Sequence, residues 1–144
     1  TLSCRPRALL ATASTATPVE APIDASANVV AGWACNRGGG AGHDMLRQVH
    51  GQFNRKFGSP RLTIARDQCY FVKCYGYYFG VCNHAGYTKV ENAGDRNVAK
   101  DTNPNSGSAC SLTPRPVHDP YLNYIFSRVN DISLGGRNND VRSC

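Results

Sequence analysis

Cys69-Tyr70-Phe71-Val72-Lys73-Cys74-Tyr75-Gly76-Tyr77-Tyr78-Phe79-Gly80-Val81-Cys82-Asn83 is the stretch whose reading decides the fold. It places three cysteines and a dense set of aromatic and β-branched side chains in one short run, a composition that suits pleated, half-buried chain. Gly76 between tyrosines is the natural turning point. The spacing predicts a β-hairpin: a strand over Tyr70 to Cys74, a turn over Tyr75 to Tyr78, and a strand over Phe79 to Asn83. No Asn-Gly or Asp-Gly pair marks that turn. Side chains alternate across a strand, so Val72, Cys74, Phe79 and Val81 share one face and Phe71, Lys73, Gly80 and Cys82 the other. The first face is apolar enough to be core.

Working upstream, the spacing predicts a helix from Asp44, read as its N-cap, to Phe57. Leu46, Val49, Phe53 and Phe57 recur three and four apart as one apolar stripe, and Gly58 followed by Pro60 ends it. Arg61 to Ala65 reads as a short strand leading into the hairpin. Further upstream, Val29 to Asn36 reads as a strand that carries Trp33, the only tryptophan, expected in packing beside a half-cystine. Arg37 to Gly42 is glycine-rich, but it lacks the Gly-Lys-Ser/Thr and the dinucleotide-binding spacing that would make it a phosphate cradle. Residues 1–28 are rich in Ala, Thr, Ser and Pro. They are expected to form an extended, partly disordered arm or pro-segment, leaving residues 29–144 as the cysteine-rich domain.

Downstream, Tyr87 to Glu91 reads as a strand and Asn103 to Ser108 as a surface loop. Asp119-Pro120 reads as the start of a second helix, with Leu122, Ile125, Phe126 and Val129 as its stripe, Ile132 extending it and Gly135-Gly136 ending it. Asn138 to Cys144 reads as a last strand stapled by its terminal cysteine. Together these elements predict an α+β sandwich, with an antiparallel sheet and two amphipathic helices on one face.

The chain has 144 residues and seven cysteines. A single domain of that size needs staples, and this cysteine density points to an oxidising compartment and secretion. With no signal peptide or transmembrane run, the chain reads as a mature form. The expected disulfide cysteines are Cys35, Cys69, Cys74, Cys82, Cys110 and Cys144. Six half-cystines allow fifteen pairings, and the sequence does not choose among them. Cys4 is unpaired, intermolecular, or the alternative partner of one of the six. The formal net charge is +6 and the pI about 9.1. The positive charges are scattered, which fits an ordinary basic secreted protein and gives no reason to expect a specific nucleic-acid partner.

The order Trp33-Ala34-Cys35-Asn36, amphipathic helix, Cys69-(four residues)-Cys74-(seven residues)-Cys82-Asn83, lone Cys110 and final Cys144 resembles small secreted six-cysteine fungal effectors akin to the smut-fungus killer-toxin family. The resemblance covers about Gly32 to Cys144. Cys4 is extra, and Asn97 to Pro120 is longer and more polar than that pattern. No toxic-site residue carries over. The resemblance implies a compact α/β sandwich, secretion, no cofactor, and action on a host or rival cell through surface binding.

The residues offer three kinds of chemistry. A secreted ribonuclease needs imidazoles for proton transfer and a cation for the developing negative charge; His43, His50, His84 and His118 are the candidates, with Glu91 the available carboxylate. Zinc could use Cys74, Cys82 and His84, but no Cys-x-x-Cys is present. A binding role fits best. Tyr75, Tyr77, Tyr78 and Tyr87 with Lys73, Lys89 and Arg96 form a candidate basic aromatic patch, although two of these tyrosines in the core with the others capping it is the more natural use. The expected protein is a monomer without catalytic residues, metal or cofactor. Its expected partner is a host extracellular or receptor protein or a cell-surface polysaccharide, and the third reading is a carbohydrate- or membrane-binding antimicrobial protein.

Overall fold

A computed structural model of the chain describes residues 32–134 and 138–144. The unit Trp33–Cys144 carries the fold. The expected arm, Cys4, Val29 to Ala31, and the glycine pair expected to end the second helix lie outside the described residues.

In chain order the elements are β1 (Ala34–Arg37), α1 (His43–Phe57), β2 (Thr63–Ile64), β3 (Gln68–Cys74), β4 (Tyr77–Asn83), β5 (Lys89–Val90), α2 (Asp95–Asp101), β6 (Ser108–Leu112), β7 (Leu122–Arg128) and β8 (Asn138–Ser143). Six strands form one sheet in the order β1-β6-β7-β4-β3-β8, and β2 pairs with β5 in a separate two-stranded ribbon. The fold is α+β, as the pattern predicts. The large sheet is mixed rather than purely antiparallel, because β8 runs parallel to β3 at one edge.

The hairpin forms as expected, with a tighter turn. Cys74 faces Tyr77 across the ladder, so the loop is Tyr75-Gly76 alone, both with positive φ, 57° and 77°. That is the geometry of a type I′ connection, and glycine supplies the second position without strain. The predicted faces hold. Val72, Cys74, Tyr77, Phe79 and Val81 enter the main core, while Cys69, Phe71 and Cys82 form a smaller cluster on the other face. Gly80 belongs to that second face. A Cβ there would lie 2.3 Å from Cδ1 of Phe71, so glycine lets the Phe71 ring lie across the strand.

Helix α1 buries Leu46, Val49, His50 and Phe53. Burying a ring such as Phe53 is worth roughly 1.5–3 kcal/mol. The helix begins one residue earlier than predicted: Gly42 precedes it, no side chain caps it, and Asp44 sits in the first turn, favourably placed for the helix dipole.

The predicted second helix is instead strand β7, central in the sheet between β6 and β4. Leu122, Ile125 and Phe126 fit a helical stripe, but Leu122, Tyr124 and Phe126 fit a strand equally well, and all three are almost fully buried. Short apolar runs are ambiguous in this way, and the aromatic and β-branched content favours extended chain. The second helix of the fold is α2, within the polar stretch read as irregular. It contributes Ala99 to the core that α1 also lines, so both helices do cover one face of the sheet.

All six predicted half-cystines are paired: Cys35–Cys110, Cys69–Cys82 and Cys74–Cys144. The first two join directly opposed residues of neighbouring antiparallel strands. The third fixes the end of edge strand β8 to β3. Both edges of the sheet are therefore covalently held.

Candidate functional site

The residues of the predicted basic aromatic patch do not converge. Tyr77 is 7% exposed and belongs to the core; its ring stacks on Phe126 and its hydroxyl accepts a hydrogen bond from the Ala41 amide. Tyr78 packs on Phe71, on the sheet face away from the helices, where Lys73 is its cross-strand neighbour. Tyr75 is exposed at the hairpin turn and accepts a hydrogen bond from Gln52. Tyr87 is exposed, with the Lys89 ammonium 5.4 Å from its ring centroid, and Lys89 pairs with Asp119 at 3.0 Å. A strand reverses sides at every residue, and this alone sends neighbouring tyrosines apart.

Arg96 corrects the prediction most sharply. Expected at the surface, it is 0% exposed. Its Nε donates to Oε2 of Glu91 at 3.0 Å and its Nη2 to Oε1 at 2.6 Å. Its Nη1 donates to Oδ1 of Asn54 and to the Gly58 carbonyl, each at 2.6 Å, and the guanidinium lies 4.8 Å over the Phe53 ring. Glu91, also 0% exposed, accepts two more bonds, from the Leu62 amide and the Tyr124 hydroxyl. This cluster joins α1, α2, β7 and the loop flanking the β2–β5 ribbon. Burial, followed by the Glu91 carboxylate, pushes the Tyr124 hydroxyl far above its ordinary range, so it stays a donor. Arg96 thus has no donor pointing to solvent and serves the interior. Asn83 performs a similar task nearby: its amide donates to the carbonyls of Ile64, Ala65 and Tyr87, and its Oδ1 accepts from the Ala85 amide.

The four histidines that are candidates for ribonuclease chemistry are spread over α1, the residue after β4 and the β6–β7 connection. His43 bonds the Lys100 carbonyl at 2.7 Å. His50 is 6% exposed, edge-on to Phe79, and burial, then Lys100 and Arg96, lowers its pKa to about 4. His118 is exposed in the β6–β7 connection. Glu91, the carboxylate proposed to serve them, is consumed by Arg96.

His84 lines a groove of about 320 Å³ on the sheet face away from the helices. Its floor is Phe71, Ile125, the Cys69–Cys82 disulfide and Leu134, and Asn36, Ser111 and Asn139 add polar atoms. Among the described residues lining this groove, His84 is the one histidine. The zinc reading of Cys74, Cys82 and His84 fails on covalent grounds: Cys74 is bonded to Cys144 and Cys82 to Cys69. Among the described residues, no three His, Cys, Asp or Glu side chains cluster as a metal site would require.

No family model, no curated protein and no solved structure matches the chain. Among the described residues, no helix is long and apolar enough to cross a membrane.

Proposed function

We propose that this chain is a secreted fungal effector or toxin-like protein that acts by binding a target on a host or competitor cell, without catalysis. The single observation behind the reading is the covalent framework: three disulfides hold both edges and the central hairpin of one sheet. Such a framework belongs to small proteins matured in an oxidising compartment. It leaves loops and outer faces free to carry recognition, as rigid scaffolds commonly do. The order of cysteines along the chain, which resembles that of killer-toxin-like effectors, supplies the class of target.

A secreted ribonuclease-like enzyme is the second reading, favoured by His84 in a groove that also holds Asn36 and Asn139. One experiment separates the readings. Purified, oxidised protein is applied to plant tissue, to microbial cultures and to RNA. A cell response without RNA cleavage supports the effector reading. Cleavage abolished by His84→Ala replaces it with the enzyme. Growth inhibition of microbes alone replaces it with an antimicrobial protein.

A further inference from the structure

From Met45 to Arg66 the chain carries Arg47, Arg55, Lys56, Arg61 and Arg66 and no acidic residue. Elsewhere in the fold Lys89, Arg96, Lys100, Arg115 and Arg128 each lie within 3.5 Å of a carboxylate, and at the start of α1 Arg47 pairs with Asp44 at 3.5 Å. The run from Arg55 to Arg66 thus carries four cations, Arg55, Lys56, Arg61 and Arg66, and no carboxylate. Because α1 turns Leu46, Val49 and Phe53 inward, Arg47 and Arg55 face solvent, and Arg61 is exposed just beyond the helix end.

Edge strand β8 adds a further cation at the same end. The Arg142 guanidinium lies 4.2 Å over the Phe57 ring and donates to the Lys56 carbonyl at 2.6 Å. Its Nε and Nη2 both donate to the Asp140 carboxylate, at 3.3 and 3.1 Å, so its charge is paired and its role here is to brace the end of α1. The Phe57 ring stacks in turn on Tyr70, 5.5 Å away between centroids. Arg142 is thus held in place against Lys56 and Phe57, at the C-terminal end of α1.

We propose that this surface, Arg55, Lys56 and Arg61 around the end of α1 that Arg142 braces, binds a linear acidic polysaccharide through its carboxylates. The inference rests on the reading of the chain as a secreted recognition protein and names the chemistry of its partner. Guanidinium forks match carboxylate geometry in pairs, and acidic sugars are the polyanions a secreted protein meets at cell surfaces. Single-stranded nucleic acid is a poorer fit, because its binding draws on open aromatic faces, and the Phe57 ring is already engaged by Arg142, Tyr70 and Phe53. An anionic membrane is a poorer fit as well. It calls for apolar anchors beside the cations, and the large exposed apolar side chains lie off α1 and its following loop. Val141, next to Arg142, points to the opposite face of the sheet.

The test is a binding titration of the whole oxidised protein with polygalacturonate, a neutral β-glucan, a homopolymeric RNA, and vesicles of anionic phospholipid. The expected result is preference for polygalacturonate and weakening with salt. The doubly substituted Arg55→Gln, Lys56→Gln protein should bind on the order of ten-fold more weakly. Arg115→Gln, whose residue pairs with Asp95 far along the chain, should bind like the parent. Arg142→Gln is accompanied by urea unfolding, since it also removes packing on Phe57. No binding, equal or stronger binding to RNA or vesicles, or an unchanged affinity in the double variant each overturn the assignment. If polygalacturonate fails while the plant or microbial response persists, the effector reading stands and its contact surface lies elsewhere. If RNA is both preferred and cleaved, both readings fall.

Discussion

Replacing Glu91 by alanine should be the most damaging single polar substitution in the fold. The change deletes a carboxylate that accepts four hydrogen bonds: two from Arg96 at 3.0 and 2.6 Å, one from the Leu62 amide at 3.1 Å, and one from Tyr124 at 2.5 Å. It leaves the guanidinium fully buried with Asn54, Gly58 and the Phe53 ring as its remaining neighbours. Breaking a buried pair by removing one partner costs roughly 3–5 kcal/mol, because an uncompensated charge stays inside. Against a usual total of about 5–15 kcal/mol and a urea slope on the order of 1.5 kcal/mol per molar, the midpoint should fall by about 2–3 M. Tyr124→Phe removes one bond to the same carboxylate and should cost about 1.5 kcal/mol. The double variant Glu91→Leu, Arg96→Met removes both charges and should recover much of the single-variant loss. Urea unfolding of the parent, these three variants and the two single variants Glu91→Leu and Arg96→Met is the assay. A Glu91→Ala loss below about 1 kcal/mol, or strict additivity of the Glu91 and Arg96 effects, would refute the description of a desolvated, coupled pair.

Four further outcomes are expected. His50 titrates near pH 6.5 unfolded and about 4 folded; the unfolded chain therefore takes the proton first, and this residue's contribution is complete above pH 6.5 and declines by about 3 kcal/mol as pH falls to 4. Asp95, raised chiefly by burial despite Arg115, acts with the opposite sign and gains stability on acidification, so the comparison to make is the parent against His50→Gln across a pH series of urea titrations. Loop-closure entropy predicts that losing Cys35–Cys110 or Cys74–Cys144, with sequence separations of 75 and 70, costs about 4 kcal/mol, against about 3 for Cys69–Cys82 at 13; paired Cys→Ser variants measured by thermal unfolding check the order. Gly80→Ala drives a methyl into Phe71 and the Tyr70 carbonyl and should cost roughly 1–3 kcal/mol, visible as a lower melting temperature. Tyr75→Asn should stabilise the hairpin by several tenths of a kcal/mol or more, because asparagine tolerates positive φ better than tyrosine; an unchanged or lower urea midpoint would count against the turn assignment.

The hairpin, α1 and the set of six half-cystines were legible because each carries its own local signal: alternation, a three-four stripe, and cysteine density. Strand β7 was not, since Leu122, Ile125 and Phe126 satisfy the helical period while Leu122, Tyr124 and Phe126 satisfy the strand period, and only pairing with β4 and β6 on either side decides between them. Helix α2 escaped for the opposite reason. Seven residues whose one apolar core side chain is Ala99 show no stripe, and the helix is anchored by Arg96 reaching Glu91, Asn54 and Gly58. The same tertiary reach removed Arg96 from the expected surface patch. A signal for that network did exist: Glu91 is one of two glutamates in the whole chain, standing at the end of the run Tyr87 to Glu91 read as a strand. The surface formed by α1 and Arg142 depends on β8 returning beside β3 in parallel, a long-range pairing that no local pattern announces.

The central claim is that covalent sulfur bridges fix this particular sheet, and peptide mapping under non-reducing conditions by mass spectrometry tests it most directly. Linked peptides joining Cys35 to Cys110, Cys69 to Cys82 and Cys74 to Cys144 are the predicted result. Free thiols at these positions, or any exchange of partners among the six, would contradict it.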